Sequence, residues 1–121
     1  MKSDQRHSLG CFGESLAAAF LEKQEYSILE RNFRTPYGEI DLITKQGDTI
    51  VFTEVKTRAS TSLGPPEVSI TPRKAEHMRN AAEYYIQQHP ELNNEWRIDV
   101  ISVQMQANET PLITHFENAI S

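Results

Sequence analysis

The stretch Gly38–Arg58, GEIDLITKQGDTIVFTEVKTR, constrains the fold more than any other part of the chain. Two runs of alternating apolar and polar residues flank a polar turn, the pattern of a β-hairpin. The first run carries Glu39 and Asp41, the second Glu54 and Lys56. Carboxylates are costly to bury, so acids inside otherwise apolar strands need partners or a use. A turn at Gln46-Gly47, or over Lys45 to Asp48, sets Asp41 opposite Phe52 and Glu39 opposite Glu54. Side chains alternate between faces along a strand, so Glu39, Asp41, Glu54 and Lys56 then share one face. Asp41 and Glu54 become diagonal neighbours, roughly 5–8 Å apart at Cβ, where like charges call for a cation or proton between them. A three-residue turn sends Asp41 to the other face. Parity decides.

If the parity holds, Asp41 and Glu54, with a backbone carbonyl near Val55, are hard oxygen ligands suited to Mg²⁺ or Mn²⁺. A divalent ion held by two carboxylates beside a lysine suits phosphodiester hydrolysis. Lys56 can orient the attacking water and offset charge building on the phosphoryl group. Zinc has no support: His7, His77, His89 and His115 are scattered and Cys11 stands alone. No nucleophile elbow, P-loop or dinucleotide fingerprint is present, which removes serine-nucleophile and nucleotide-cofactor readings.

The chain has 121 residues, a length that implies one domain over 1–121 with a single core. No apolar run reaches the roughly 18 residues of a membrane span. The start, MKSDQRHSLG, has no apolar segment of the kind a signal peptide needs. With one cysteine and no internal disulfide available, a cytoplasmic address is the expectation. Twelve basic against seventeen acidic residues give a net charge of −5, which argues against non-specific coating of nucleic acid. A local basic patch remains open, because Lys56, Arg58, Arg73, Lys74 and Arg79 fall in one stretch that holds few acids. A solvated mixed-charge surface is the plainer alternative.

Around the hairpin, Leu9–Gln24 reads as a helix, apolar almost all round from Leu16 to Leu21 and so expected to be buried on more than one side. Glu14 lies on its stripe of Ala17, Ala18 and Leu21. It reads either as a first-turn acid favoured by the helix dipole or as a carboxylate pointed at the hairpin's acids. Tyr26–Arg34 reads as a strand; its Arg31 and Arg34 read either as phosphate contacts or, more plainly, as ordinary surface arginines. The stretch from Ala59 to Pro66 reads as a loop, either a lid over the charged strand or a passive connector. A helix starts at Thr71-Pro72, a capping residue followed by proline, and runs to about Gln88. Its first turn carries Arg73 and Lys74, the wrong sign for the helix dipole and the right sign for an anion. Trp96–Gln104 is a further strand, with Arg97 and Asp99 pairing structurally, and Leu112–Phe116 a short edge strand. The order α-β-β-β-α-β-β implies an α/β fold with a mixed sheet flanked by helices.

Several blocks carry a resemblance. Asp41 followed by Glu54-Val55-Lys56, thirteen residues on, resembles the D…E-x-K signature of the PD-(D/E)XK nuclease superfamily. Gly13-Glu14, Arg31-Asn32-Phe33-Arg34, Gly38 to Ile43, Val51 to Arg58, Lys74 and Arg97 to Val100 together resemble the YraN family of small bacterial proteins, related to archaeal Holliday junction resolvases. The resemblance covers Gly10 to Val103. It implies a restriction-endonuclease-like α-β-β-β-α-β core, with Asp41 and Glu54 as metal ligands, Lys56 as the catalytic lysine and Glu14 as an additional catalytic acid. Lys74 matches a polar helix position near the site. Ile40 departs from the proline of the superfamily's name.

The expected function is therefore a Mg²⁺- or Mn²⁺-dependent endonuclease acting on branched or structured DNA in recombination or repair. Arg34, Arg58, Arg73 and Lys74 are its expected backbone contacts. Paired cuts from one site per chain imply a homodimer. The alternatives are a non-catalytic nucleic-acid-binding or scaffold protein with the same fold, and a nuclease for RNA or single-stranded ends.

Overall fold

The structure, a computed structural model, describes residues 2–60, 69–92 and 95–120. The elements are α1 (Lys2–Lys23), β1 (Ser27–Thr35), β2 (Gly38–Gln46), β3 (Thr49–Arg58), α2 (Pro72–Gln88), β4 (Glu95–Gln106) and β5 (Glu109–Ile120). They form one five-stranded sheet in the order β1-β2-β3-β4-β5. All neighbours are antiparallel except β3 and β4, which run parallel. A parallel pair needs a crossover, and α2 supplies it.

The two helices lie on opposite faces, as expected of a mixed sheet flanked by helices. On one face Met78, Ala81, Ala82 and Tyr85 of α2 pack against Ile40, Ile43, Ile50, Phe52, Ile98 and Ile120. On the other, Ala17, Ala18 and Leu21 of α1 pack against Leu42, Val51, Ile101 and Val103. Val51 and Phe52, adjacent in sequence, enter opposite cores, as the period of a strand requires. Phe52 lies edge-on to Tyr85 at 5.7 Å and to Trp96 at 5.6 Å, aromatic pairs worth about 0.5–1.5 kcal/mol each beyond their buried area.

Thr71 caps α2 as expected: its hydroxyl accepts the Lys74 N–H at 3.1 Å, and Pro72 takes the first helical position. The helix stops at His89, ahead of Pro90. Elsewhere the expectations need correction. The first helix begins at Lys2 rather than Leu9, because the polar opening has no apolar stripe to announce it. Its burial is one-sided, with Ala17, Ala18 and Leu21 buried while Ala19 is exposed. The last strand is longer than Leu112–Phe116. Proline at 111 and a break in the β4 pairing between Phe116 and Ile120 hide its ends from any count of alternation. The expected loop at 59–66 lies, from residue 61 on, outside the described residues.

Arg97 and Asp99 do pair, and they belong to a larger network. Asp99, fully buried, accepts from Arg97 Nε at 3.0 Å and from the Asn118 N–H at 2.9 Å, and pairs with His115 Nε2 at 2.7 Å. Arg97 also donates to the Tyr26 hydroxyl at 3.0 Å. The Asn118 N–H comes from the stretch where β5 leaves its ladder with β4. One carboxylate therefore joins β4 to β5 and, through Arg97, to the entry of β1.

Candidate active site

The hairpin turn is Gly47-Asp48, one position later than expected, with Gln46 paired to Thr49 and Leu42 to Thr53. Gly47 has φ +58, the left-handed corner that glycine takes without steric cost. The partner shift is two residues, so the parity needed for the constellation is kept. Continued one more rung, this register would set Asp41 directly opposite Glu54, and the ladder ends before that rung. Like charges directly opposed disfavour pairing. In place of a backbone bond, the Val55 N–H donates to Asp41 Oδ2 at 2.8 Å.

The expectation that Glu39, Asp41, Glu54 and Lys56 share one face is corrected here. Ile40 and Ile43 pack under α2 while Leu42 packs under α1, so the alternation of β2 breaks at Asp41. A strict period of two would have put Ile40 with Leu42. The same rung is irregular on β1: Arg31 pairs with Leu42 and Phe33 with Ile40, while Asn32 between them has φ +52. The Asp41 carboxylate consequently lies against the edge of β3, where its neighbour strand has peeled away. Charged groups reach it from both sides of the sheet. From α2, Lys74 Nζ stands 3.6 Å from Glu54 Oε1. From α1 comes Glu14, close enough for its charge to act on Asp41.

These neighbours set the proton affinity of Asp41. Burial and then the charge of Glu54 push its carboxyl up to about 7; the Val55 N–H pulls it back, Glu14 raises it again and Lys74 lowers it. Of the charged neighbours, Glu54 and Glu14 each act on Asp41 more strongly than Lys74 does. Among the described residues no three His, Cys, Asp or Glu side chains are gathered as a metal cage. Two hard carboxylates with open positions are nevertheless the donor set that suits Mg²⁺, which keeps several waters and shares phosphate oxygens. Asp41 and Glu54 could hold such an ion.

Helix α1 delivers Glu14 through a close approach. A Cβ at Gly13 would overlap the Thr57 hydroxyl, so only glycine lets the helix lie this near β3. Alanine in a helix normally gains about 1 kcal/mol over glycine. Gly13→Ala is expected to do the reverse, with a net loss on the order of 1–2 kcal/mol from overpacking. Urea denaturation of Gly13→Ala, and of the same variant carrying Thr57→Ala, checks this; the second change should restore most of the loss.

Residues 13–103 match the model of the uncharacterised protein family UPF0102. The chain belongs to that family. A UPF0102 protein from Syntrophomonas wolfei is 47% identical over 92% of this chain and 96% of its own length. Another from Caldicellulosiruptor saccharolyticus is 45% identical over 94% and 98%, and one from Geobacter metallireducens 46% identical over 93% and 91%. The matched span runs from the glycine that lets α1 approach β3 to Val103, the last fully buried residue of β4.

The remaining candidates of this UPF0102 chain are placed as follows. Lys56 is half-buried and, by the alternation of β3, on the α2 side with Phe52 and Glu54. Arg58 ends β3 and is half-buried; Arg73 is exposed on the first turn of α2. Arg34 is exposed and stands 3.7 Å from Glu39. Arg34, Lys56 and Arg58 lie at the end of the sheet where β1 finishes, β2 begins and β3 leaves its ladder with β2, and Arg73 directly precedes Lys74, which reaches Glu54 there. Lys74, expected to meet phosphate, has Glu54 as its neighbour and so belongs to the acidic cluster itself. Asn32 was missed as a site residue, although it stood inside the block Arg31 to Arg34. Asparagine is depleted in strands and tolerates left-handed backbone, and that was the available signal. No helix among the described residues is long and apolar enough to cross a membrane.

Proposed function

We propose that this chain is a Mg²⁺- or Mn²⁺-dependent DNA endonuclease of the PD-(D/E)XK kind, acting on branched or otherwise structured DNA. The observation that carries the reading is the parting of β2 from β3 at Asp41 and Glu54, with Lys56 following on the strand side that bears Glu54. Asp41 and Glu54 would hold the ion. When bound, it supplies Lewis acidity towards a phosphoryl oxygen and a water. The ammonium of Lys56 then orients the attacking water and offsets charge gathering on the non-bridging oxygens as the P–O bond to the leaving group breaks. Lys74 holds Glu54 in place. Arg34, Arg58 and Arg73 would take backbone phosphates at the same end of the sheet. Two such sites are needed for paired cuts, which makes a homodimer part of the proposal.

The test uses four-way junction, flap, duplex and single-stranded DNA with Mg²⁺, Mn²⁺ or EDTA, alongside Asp41→Ala and Lys56→Ala. Cleavage that needs the metal and falls at least about 10²-fold in both variants is the expected result. DNA binding that persists in both, with no cleavage by any form, would instead mark a nucleic-acid-binding protein that keeps the fold. With the same structures made of RNA as a further arm, cleavage of the RNA set alone would move the substrate class.

A further inference from the structure

We propose that Asn32 is a positioning residue, its carboxamide bridging Glu14 and Glu39 and so seating the α1 acid against Asp41; this rests on the metal-site reading above. The end of the Asn32 carboxamide that faces the two acids lies 2.9 Å from Glu14 Oε2 and 3.1 Å from Glu39 Oε1, and hydrogen bonding assigns its nitrogen to that end. Both partners are carboxylate oxygens, which accept and do not donate when ionised, so the amide must face them with its nitrogen. Its two protons serve one acid each. A hydroxyl has one proton to offer and an aspartate none, so asparagine matches this pair of acceptors.

The backbone makes the reach possible. Asn32 sits at φ +52 on the rung where the β1–β2 ladder skips from Arg31↔Leu42 to Phe33↔Ile40. Such a conformation costs a non-glycine residue on the order of 1 kcal/mol and persists where surrounding contacts hold it. The skipped rung is the one opposite Asp41. One residue earlier, Arg31 Nη2 donates to Ser15 Oγ at 3.2 Å, so the same two positions of β1 grip two successive residues of α1. Without the amide, the Glu14 and Glu39 carboxylates repel one another across the space it fills, and a half-exposed Glu14 relaxes towards water. A plain helix–strand tether would affect stability alone. A positioning residue must act on the metal site through Glu14.

The experiment measures Mn²⁺ affinity by calorimetry for the full chain, Asn32→Gly, Glu14→Ala and the double variant. Glycine at 32 keeps the left-handed backbone at ease, so the variant folds while losing the amide. The expected result is a 10–100-fold weakening by Asn32→Gly, with little further loss when Glu14 is already alanine. Unchanged affinity, or losses that simply add, overturns the proposal. A second readout needs no metal: in ¹⁵N spectra recorded in EDTA, the Asn32 side-chain NH₂ resonances should move with Glu14→Ala and with Glu39→Ala. If the chain takes up no Mn²⁺, the metal reading fails and these resonances decide the bridge. Resonances that move support it; resonances that stay still overturn it.

Discussion

Replacing Asp41 by asparagine should abolish metal-dependent cleavage and, in the absence of metal, make the protein more stable at neutral pH. The two effects have one cause. Burial, followed by the charge of Glu54, pushes the Asp41 carboxyl from 3.8 up to about 7. A proton is therefore held by the folded chain and not by the unfolded one between those values. The stability this proton contributes is fully present below about pH 4 and lost as pH rises through about 7. At pH 8 the ionised carboxylate costs the metal-free fold up to about 4 kcal/mol, since each tenfold change in proton affinity is worth about 1.4 kcal/mol. Asparagine keeps an oxygen to accept the Val55 N–H and carries no charge against Glu54. In EDTA, thermal melts at pH 8 should place Asp41→Asn well above the parent, with the gap closing towards pH 4. Adding Mg²⁺ should raise the parent and leave the variant unmoved, since a ligand stabilises only the state that binds it. A variant less stable than the parent at pH 8 would refute this account of the site.

The largest stability loss is expected at Asp99, far from the chemistry. Burial works to raise its proton affinity, but the hydrogen bonds from His115, Arg97 and Asn118 outweigh it and hold the carboxyl below its usual value. Its contribution is therefore present at neutral pH and lost as pH falls below about 4. Asp99→Ala takes the buried carboxylate from Arg97, which keeps only the Tyr26 hydroxyl at 3.0 Å and the exposed Glu117 at 3.9 Å, and leaves the Asn118 N–H without its acceptor. Breaking a buried pair in this way costs about 3–5 kcal/mol. Urea denaturation at pH 7 reads the loss directly, and a loss under about 1 kcal/mol would mean that water replaces the carboxylate at no cost. The same comparison at pH 3 should show the difference shrinking, because below about pH 4 the unfolded chain takes up a proton that the folded Asp99 resists.

The α-β-β-β-α-β-β order could be read in the chain because each element carries its own local signal. The hairpin has alternating β-branched residues, and α2 has Thr71-Pro72 at one end and Pro90 beyond the other. Asp41, Glu54 and Lys56 stood out for a related reason: charged residues inside strands of this kind break the pattern that makes a strand visible. Glu14 was ambiguous, since an acid early in a helix has a local use as well. Arg97–Asp99 was legible as a pair two residues apart on one strand, whereas His115 and Asn118 were not, because they arrive from β5 across a break in the ladder.

Alternation, capping and charge placement are properties of neighbours in sequence, and by themselves they determined the element order, the two-faced packing of the hairpin and the acids to watch. Only the tertiary structure decided how those acids meet. The break of alternation at Asp41, the left-handed turn of Asn32 on the adjoining rung, the contact of Gly13 with Thr57 and the pairing of Lys74 with Glu54 all join residues far apart in the chain. Each depends on where a helix or strand is set against another. That placement follows from packing on both sides of the sheet, and no local window of sequence contains it.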